Sequence, residues 1–183
     1  MTDAVDELFT LPPQDFVSAR NVLVKQLRAE GRREEAAEVM KATDRSVAVA
    51  ESLTGGQLAA ALASGPGAST WFRGGIVAYN PEVKFRLLDV ERGPVVTQGC
   101  AEQMARAVAE LTEASITVAV TGVGGPEPQE GEPAGTVWLA LCVEGSARSE
   151  RLQFDGDPGE VLAATVRRSL CALAAAAEEL SSA

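Results

Sequence analysis

Two periodicities run along the 183-residue chain, and the change from one to the other divides it. Between Asp15 and Glu30, Phe16, Ala19, Leu23 and Leu27 recur at three- and four-residue steps, the spacing of one helical face. Gly31 interrupts the pattern, which resumes from Arg32 to Ala42 with Ala36, Val39 and Met40 on a second apolar face. Two amphipathic helices meeting at a glycine predict a helical hairpin within residues 1–44, packed on the main domain or on a second subunit. Its charged residues read as a solvated face, and no motif in it carries chemistry.

From residue 45 onward, short apolar runs alternate with helical stripes. Val47–Ala50, Gly74–Tyr79 and Ser115–Thr121 are short runs rich in small and β-branched residues that end at turn residues, as strands buried in a parallel sheet do. Helices are predicted over Gly55–Ser64, over Pro81–Val90 with Val83 and Leu87 on one face, and over Gln98–Leu111 with Met104, Val108 and Leu111 buried. Thr97 caps the last of these. Gly65–Thr70 is a loop, and Gly93-Pro94 breaks the chain again. Thr136–Glu144 and Arg148–Phe154 flank Gly145-Ser146 as an antiparallel hairpin, and Gly159 to about Leu180 forms the closing helix. The expectation for residues 45–183 is a three-layer-like α/β sandwich on a mixed, largely parallel sheet.

Charge and residue counts then narrow the chemistry. A net charge of −10 argues against a nucleic-acid binder, which presents a basic face. No apolar run approaches the roughly 20 residues of a membrane span. The segment MTDAVDELF lacks a basic-then-apolar signal, so a cytoplasmic protein without membrane partners is expected. Cys100, Cys142 and Cys171 are widely spaced, form no C-x-x-C and sit in apolar periodic segments, as core thiols do. The chain has no histidine. Ser–His–Asp catalysis, Cys–His catalysis and His-containing zinc sites are excluded within it, and a hydrolytic base has to come from Lys, Asp, Glu, Tyr or a terminal amine.

Three loops collect at one end of the expected sheet: Glu51–Gly56, Tyr79–Lys84 and Thr121–Pro126. In the first, Thr54 and Gln57 have capping-box spacing, which places the Ser52 hydroxyl beside free N–H groups at a helix start. A plain turn serine fits this stretch equally well. In the second, Asn80 caps and Pro81 opens a helix, and Lys84 lies one turn inside it, where a lysine is electrostatically unfavourable. Lys84 and Tyr79 can point to the same end of the sheet, and a surface lysine compensated by Glu82 fits as well. The third opens the long loop Gly122–Gly135, where Gly122, Gly124 and Gly125 can form a nest of N–H donors for a phosphate or oxyanion. It is no dinucleotide fingerprint, because Glu127 stands where G-x-G-x-x-G needs glycine.

Four ordered stretches resemble a known family: AESLTGG (Ala50–Gly56), GASTWFRGGIVAYNPEVK (Gly67–Lys84), VTGVGGP (Val120–Pro126) and PAGTVWLA (Pro133–Ala140). They are similar to the C-terminal domain of the CinA competence/damage-inducible proteins, a family that includes free-standing nicotinamide-nucleotide amidohydrolases of the PncC type. The resemblance runs from about Arg45 to the C-terminus. It implies metal-independent deamidation of nicotinamide mononucleotide to nicotinic acid mononucleotide and ammonia, a recycling step for pyridine nucleotides, with no cofactor. It implies Ser52 as nucleophile, Lys84 as its activating base and Tyr79 beside them. Glu51, Thr54, Gly55, Gly56, Asn80, Thr121, Gly122, Gly124 and Gly125 would then surround the substrate. Lys84 would have to be neutral, hence buried with a depressed pKa, and N–H groups near Thr54–Gly56 or Gly122–Gly125 would hold the oxyanion. The partners expected are a small-molecule nucleotide and further copies of the chain. The alternative is a non-catalytic nucleotide-binding or regulatory module that keeps the pocket.

The chain also departs from that pattern. The family's G-D-R after the late hairpin is Gly156-Asp157-Pro158 here, and Leu162 stands where a second arginine is usual. If those arginines hold the substrate phosphate, specificity changes, with Arg151, Arg167 and Arg168 as the available replacements. The link Asp89–Thr97 is shorter than usual, with threonine for a common serine, and the leading helical hairpin is longer. The ADP-ribose-hydrolysing N-terminal domain of full-length CinA has no counterpart here, so that activity is not expected.

Overall fold

The structure, a computed structural model, describes Glu7, Leu8, Leu11 and residues 13–43 and 45–181. The chain divides into two compact units, Met1–Arg45 and Ser46–Ala183. In the first, α1 (Pro13–Ala29) and α2 (Arg33–Thr43) pair across Gly31, whose φ of +78° is the left-handed turn that glycine adopts most easily. Val24, Leu27, Ala36 and Val39 are buried between them, with Ala19 and Leu23 packed alongside. The side chains of Phe16 and Met40, assigned to the same faces from the sequence, lie outside the described residues.

The second unit runs β1 (Val47–Glu51), α3 (Gln57–Ala63), α4 (Ala68–Trp71), β2 (Phe72–Val77), α5 (Pro81–Leu87), α6 (Gln98–Thr112), β3 (Ile116–Gly122), β4 (Thr136–Val143), β5 (Ser146–Gln153) and α7 (Pro158–Ser181). The sheet order is β2-β1-β3-β4-β5; β1 pairs parallel with β2 and β3, and the remaining pairs are antiparallel. Alternation along the strands divides the core into two layers. Ala48, Ala50, Ala119 and Ala140 face Ala101, Met104, Ala105 and Val108 of α6, while Val49, Val118, Val120 and Leu139 face Leu58 of α3 and Val161 and Leu173 of α7. Small residues on the first face let α6 lie close to the sheet. The expected mixed α/β sandwich is present. No helix among the described residues is long and apolar enough to cross a membrane.

Several boundaries differ from the sequence reading for local reasons. Residues 68–70 of the expected loop form α4 together with Trp71, because Gly67 takes a φ of +63° and its carbonyl accepts the Thr70 hydroxyl at 2.8 Å. β2 begins at Phe72, paired with Val47, and ends before Tyr79. α5 stops at Leu87, since Asp89 turns to a φ of +48° and the Val90 N–H returns to the Lys84 carbonyl at 3.2 Å. Cys100 and Cys142 are core thiols as expected, but Cys171 is exposed on α7. Thr97 and Asn80 cap as expected, accepting the N–H groups of Cys100 and Glu82.

Thr54 does not cap α3. The cap position is Gly56, at a φ of +100° and without a side-chain bond. Its place is taken by Glu51, fully buried at the end of β1, whose carboxylate accepts the Thr54 hydroxyl at 2.6 Å and the N–H groups of Gly56, Leu58 and Ala59 at 3.1, 3.0 and 2.8 Å. A negative group at a helix N-terminus satisfies the orphan donors and the helix dipole together. Glu51→Gln brings an amide N–H₂ against one of these donors and leaves a buried N–H unbonded, at a cost of about 2–3 kcal/mol. Chemical denaturation should show that loss; an unchanged unfolding midpoint would refute the capping role.

Candidate active site

Parallel pairing brings the C-terminal ends of β1, β2 and β3 to one edge of the sheet. The chain leaves β1 for one neighbour and returns as the other, so the connections diverge at the end of β1, where open α/β sheets hold ligands. A cavity of about 270 Å³ lies there. Because β4 and β5 are antiparallel, the glycine loop before β4 and the start of α7 after β5 reach the same edge.

Ser52 follows Glu51 directly and is 8% exposed; its N–H donates to the Val120 carbonyl at 3.0 Å, which ties the turn to β3. Lys84, one turn into α5, faces inward and is 1% exposed. Its Nζ donates to Ser52 Oγ at 2.9 Å, and that is its only side-chain hydrogen bond among the described residues. Desolvation pushes the Lys84 pKa below the ordinary lysine value, while Cys100, once ionised, and Glu130 pull the other way. Burial in turn pushes the Cys100 thiol up to about 11, so it carries no charge beside Lys84 at neutral pH. The pair is a hydroxyl in contact with an amine that its surroundings drive toward the neutral form.

The other walls are loops pinned by side chains. Val95 and Val96 line the cavity; Glu130 accepts both of their N–H groups, at 2.7 and 2.9 Å, and the Thr121 hydroxyl donates to the Val95 carbonyl at 2.7 Å. Gly122 is required sterically, since a Cβ there would collide with the Thr136 carbonyl oxygen. Beyond it the Val123 N–H bonds Thr136, whereas the N–H groups of Gly124 and Gly125 have no acceptor among the described residues. Gly125 has a φ of +93°, and both glycines line the cavity. Gln129 and Glu132 close a small hairpin in the same loop through N–H bonds of 3.0 and 2.9 Å to each other's carbonyls.

The cavity thus brings together Ser52, Lys84, Tyr79, Thr121, Gly122, Gly124 and Gly125. Tyr79 stands at the mouth, 69% exposed, without a hydrogen bond to Ser52 or Lys84. Glu51, Thr54, Gly55, Gly56 and Asn80 are not in the lining. Glu51 is sealed inside with the Thr54 hydroxyl and the Gly56 N–H, the Gly55 N–H donates to the Ser52 carbonyl at 3.1 Å, and the Asn80 side chain is occupied as a cap. The amides expected near Thr54–Gly56 are therefore partly consumed by their own turn. Arg151 and Arg168 pair with Glu132 and Glu150, and they and Arg167 stand outside the lining, which includes Pro158 and Leu162. Sequence reading did not find Leu53, Val95, Val96, Glu127 or Gln129 in the lining, or Glu130 as an anchor. Gly93-Pro94 marked a break there but carried no sign of which surface the following residues cover.

Comparison with known proteins identifies the family to which this fold belongs. The family model described as CinA C-terminal domain matches residues 29–177. A relative from Listeria welshimeri, named as a competence-damage inducible protein, is 43% identical over 114 residues, 60% of this chain and 27% of its own length. The chain thus spans about a quarter of the curated relatives of that kind. Protein YdeJ of Escherichia coli is 38% identical over 130 residues, 68% of this chain and 76% of YdeJ. Among solved structures, the competence damage-inducible protein A of Klebsiella pneumoniae superposes with a TM-score of 0.70 at 36% identity, covering 76% of this chain and 91% of that one. The Agrobacterium tumefaciens competence/damage inducible protein CihA gives 0.69 at 26% identity, covering 94% and 95%. The chain belongs to the CinA C-terminal domain family.

Proposed function

We propose that the protein is a Ser–Lys amidohydrolase acting on a nicotinamide-type carboxamide, with deamidation of nicotinamide mononucleotide to nicotinic acid mononucleotide and ammonia as its reference reaction. The observation that carries this reading is the 2.9 Å contact between Ser52 Oγ and the buried Lys84 Nζ at the floor of the cavity. A neutral Lys84 accepts the Ser52 proton as Oγ attacks the carboxamide carbon. The Gly124 and Gly125 amides, on residues that line the cavity and without an acceptor among the described residues, are the candidate donors for the tetrahedral oxyanion, and one such donor is typically worth about 3 kcal/mol in the barrier. As the C–N bond breaks, the Lys84 ammonium gives its proton to the departing ammonia. Water, deprotonated by Lys84 in turn, then attacks the acyl carbon; the C–Oγ bond breaks, Ser52 Oγ takes that proton back from Lys84, and the acid product leaves and ionises to a carboxylate.

Ammonia release with chromatographic detection of the acid product tests the reaction. Ser52→Ala should lower turnover by about 10³-fold or more. Stoichiometric nucleotide binding by the wild type without any ammonia would favour a binding module instead.

The depressed Lys84 pKa fixes the sign of two further expectations. Activity needs the neutral amine, so kcat/KM should rise with pH through a single ionisation below the ordinary lysine range; a profile that rises only near 10.5 would remove Lys84 as the base. Below 10.5 the unfolded chain binds a proton at Lys84 more readily than the native one, so the buried amine lowers stability there. Lys84→Met should abolish turnover yet raise Tm at neutral pH, and the gain should vanish as the pH approaches 10.5. Thermal unfolding of both proteins at several pH values reads this directly.

A further inference from the structure

The cavity is basic at one end only. Lys84 is the sole cation in its lining among the described residues, and its Nζ is already engaged with Ser52. The far wall comprises Pro158 and Leu162, from the first turns of α7, with Glu127 from the glycine loop. Pro158 has no N–H to offer a ligand. The start of α7 is closed by its own carboxylates: Asp157 Oδ1 accepts the Glu160 N–H at 2.9 Å, Glu160 Oε2 accepts the Asp157 N–H at 2.9 Å, and the Val161 N–H bonds the Asp157 carbonyl at 3.0 Å. The donors and dipole that would draw an anion to a helix start are answered here by acidic side chains. Arg151 and Arg168 are held by Glu132 and Glu150 away from the lining.

Resting on the amidohydrolase reading, we propose that this cavity selects a carboxamide whose far end carries no phosphate, with Leu162 and Glu127 as specificity-determining residues. A phosphate placed there would be desolvated against Leu162 and set beside the acidic Glu127 without a cation to meet it, and the Gly124 and Gly125 amides, which lie against Leu162 and Pro158, are on this reading given to the carboxamide oxygen. A pyridinium carboxamide bearing only a neutral ribose presents a positive ring and hydroxyls to the same surface. The riboside is therefore preferred over its 5′-phosphate.

The test is steady-state ammonia release from nicotinamide riboside and nicotinamide mononucleotide, using the full chain as wild type, Leu162→Arg and Glu127→Gln. The wild type should show a kcat/KM roughly tenfold or more higher for the riboside, the scale of one hydrogen bond to a charged group. Leu162→Arg should move the ratio toward the mononucleotide by a similar factor, and Glu127→Gln should move it less in the same direction. A wild-type preference for the mononucleotide, or a ratio unchanged in both variants, overturns the proposal. Calorimetric binding of the same two compounds to Ser52→Ala separates this from the hydrolase reading. Tighter riboside binding supports the selectivity even if the wild type releases no ammonia. Equal or tighter mononucleotide binding, or binding of neither, overturns it.

Discussion

The carboxylate of Glu51 is the fixed point of the cavity end of this fold. It is fully buried, and four donors from the turn and the start of α3 hold it there. The backbone of the same residue accepts the Ala78 N–H at 2.7 Å, so β1 is bound to the connection after β2 at the point where it meets α3. The next residue is Ser52, whose N–H is bonded to Val120 of β3. A nucleophile has to be held to a fraction of an ångström to be useful. Here that precision comes from a buried charge one residue away, which cannot move without exposing several unbonded donors.

Lys84 meets that fixed point from the other side. Asn80 and Pro81 start α5 at the end of β2, and one helical turn carries Lys84 over the end of β1. Burying an amine opposes folding, yet the same desolvation is what drives the amine toward its neutral form. Its hydroxyl partner satisfies one hydrogen bond without neutralising charge. A carboxylate in that place would stabilise the ammonium and destroy the base. Glu130, the acidic residue that acts on Lys84 through space, instead has a carboxylate oxygen bonded to the Val95 and Val96 amides.

The strands and most helices were legible because each is written in a local period: Val47–Ala50 and Ser115–Thr121 are apolar on both faces, and Asn80 and Thr97 sit at cap positions their side chains then occupy. The convergence of Ser52, Tyr79, Lys84 and the glycine loop followed from parallel topology, which sends every βα connection to one edge. Contacts set by chain reversal were not legible. Thr54 and Gln57 have the spacing of a capping box, but Glu51 reaches Ala59, eight residues on, only because Gly55 and Gly56 take positive φ and fold the turn back. Glu130 lies 34 and 35 residues from the amides it anchors, and nothing local in either segment announces the pairing. Cys171 sits in an alanine-rich stretch whose period does not distinguish the buried face from the outer one, and it emerged on the outside.

The two halves of the cavity are therefore under different physical control. The half around Ser52 and Lys84 depends on backbone geometry and burial: Gly122 admits no side chain, Glu51 admits no weaker acceptor, and Lys84 makes one side-chain hydrogen bond among the described residues. Substitution there disturbs the sheet edge itself. The far half is made of side chains on the outer turns of α7 and on an exposed loop, where Pro158, Leu162 and Glu127 hold no strand or core layer in register. Pro158 occupies the first position of a helix, which accepts proline without strain, and Leu162 projects from the next turn. Residues at such positions can exchange an arginine for an apolar side chain without a cost to the core. On the proposed reading, the Ser52–Lys84 pair is thereby free to serve ligands that differ in charge at their far end, with discrimination set by whether a buried or half-buried charge finds its partner.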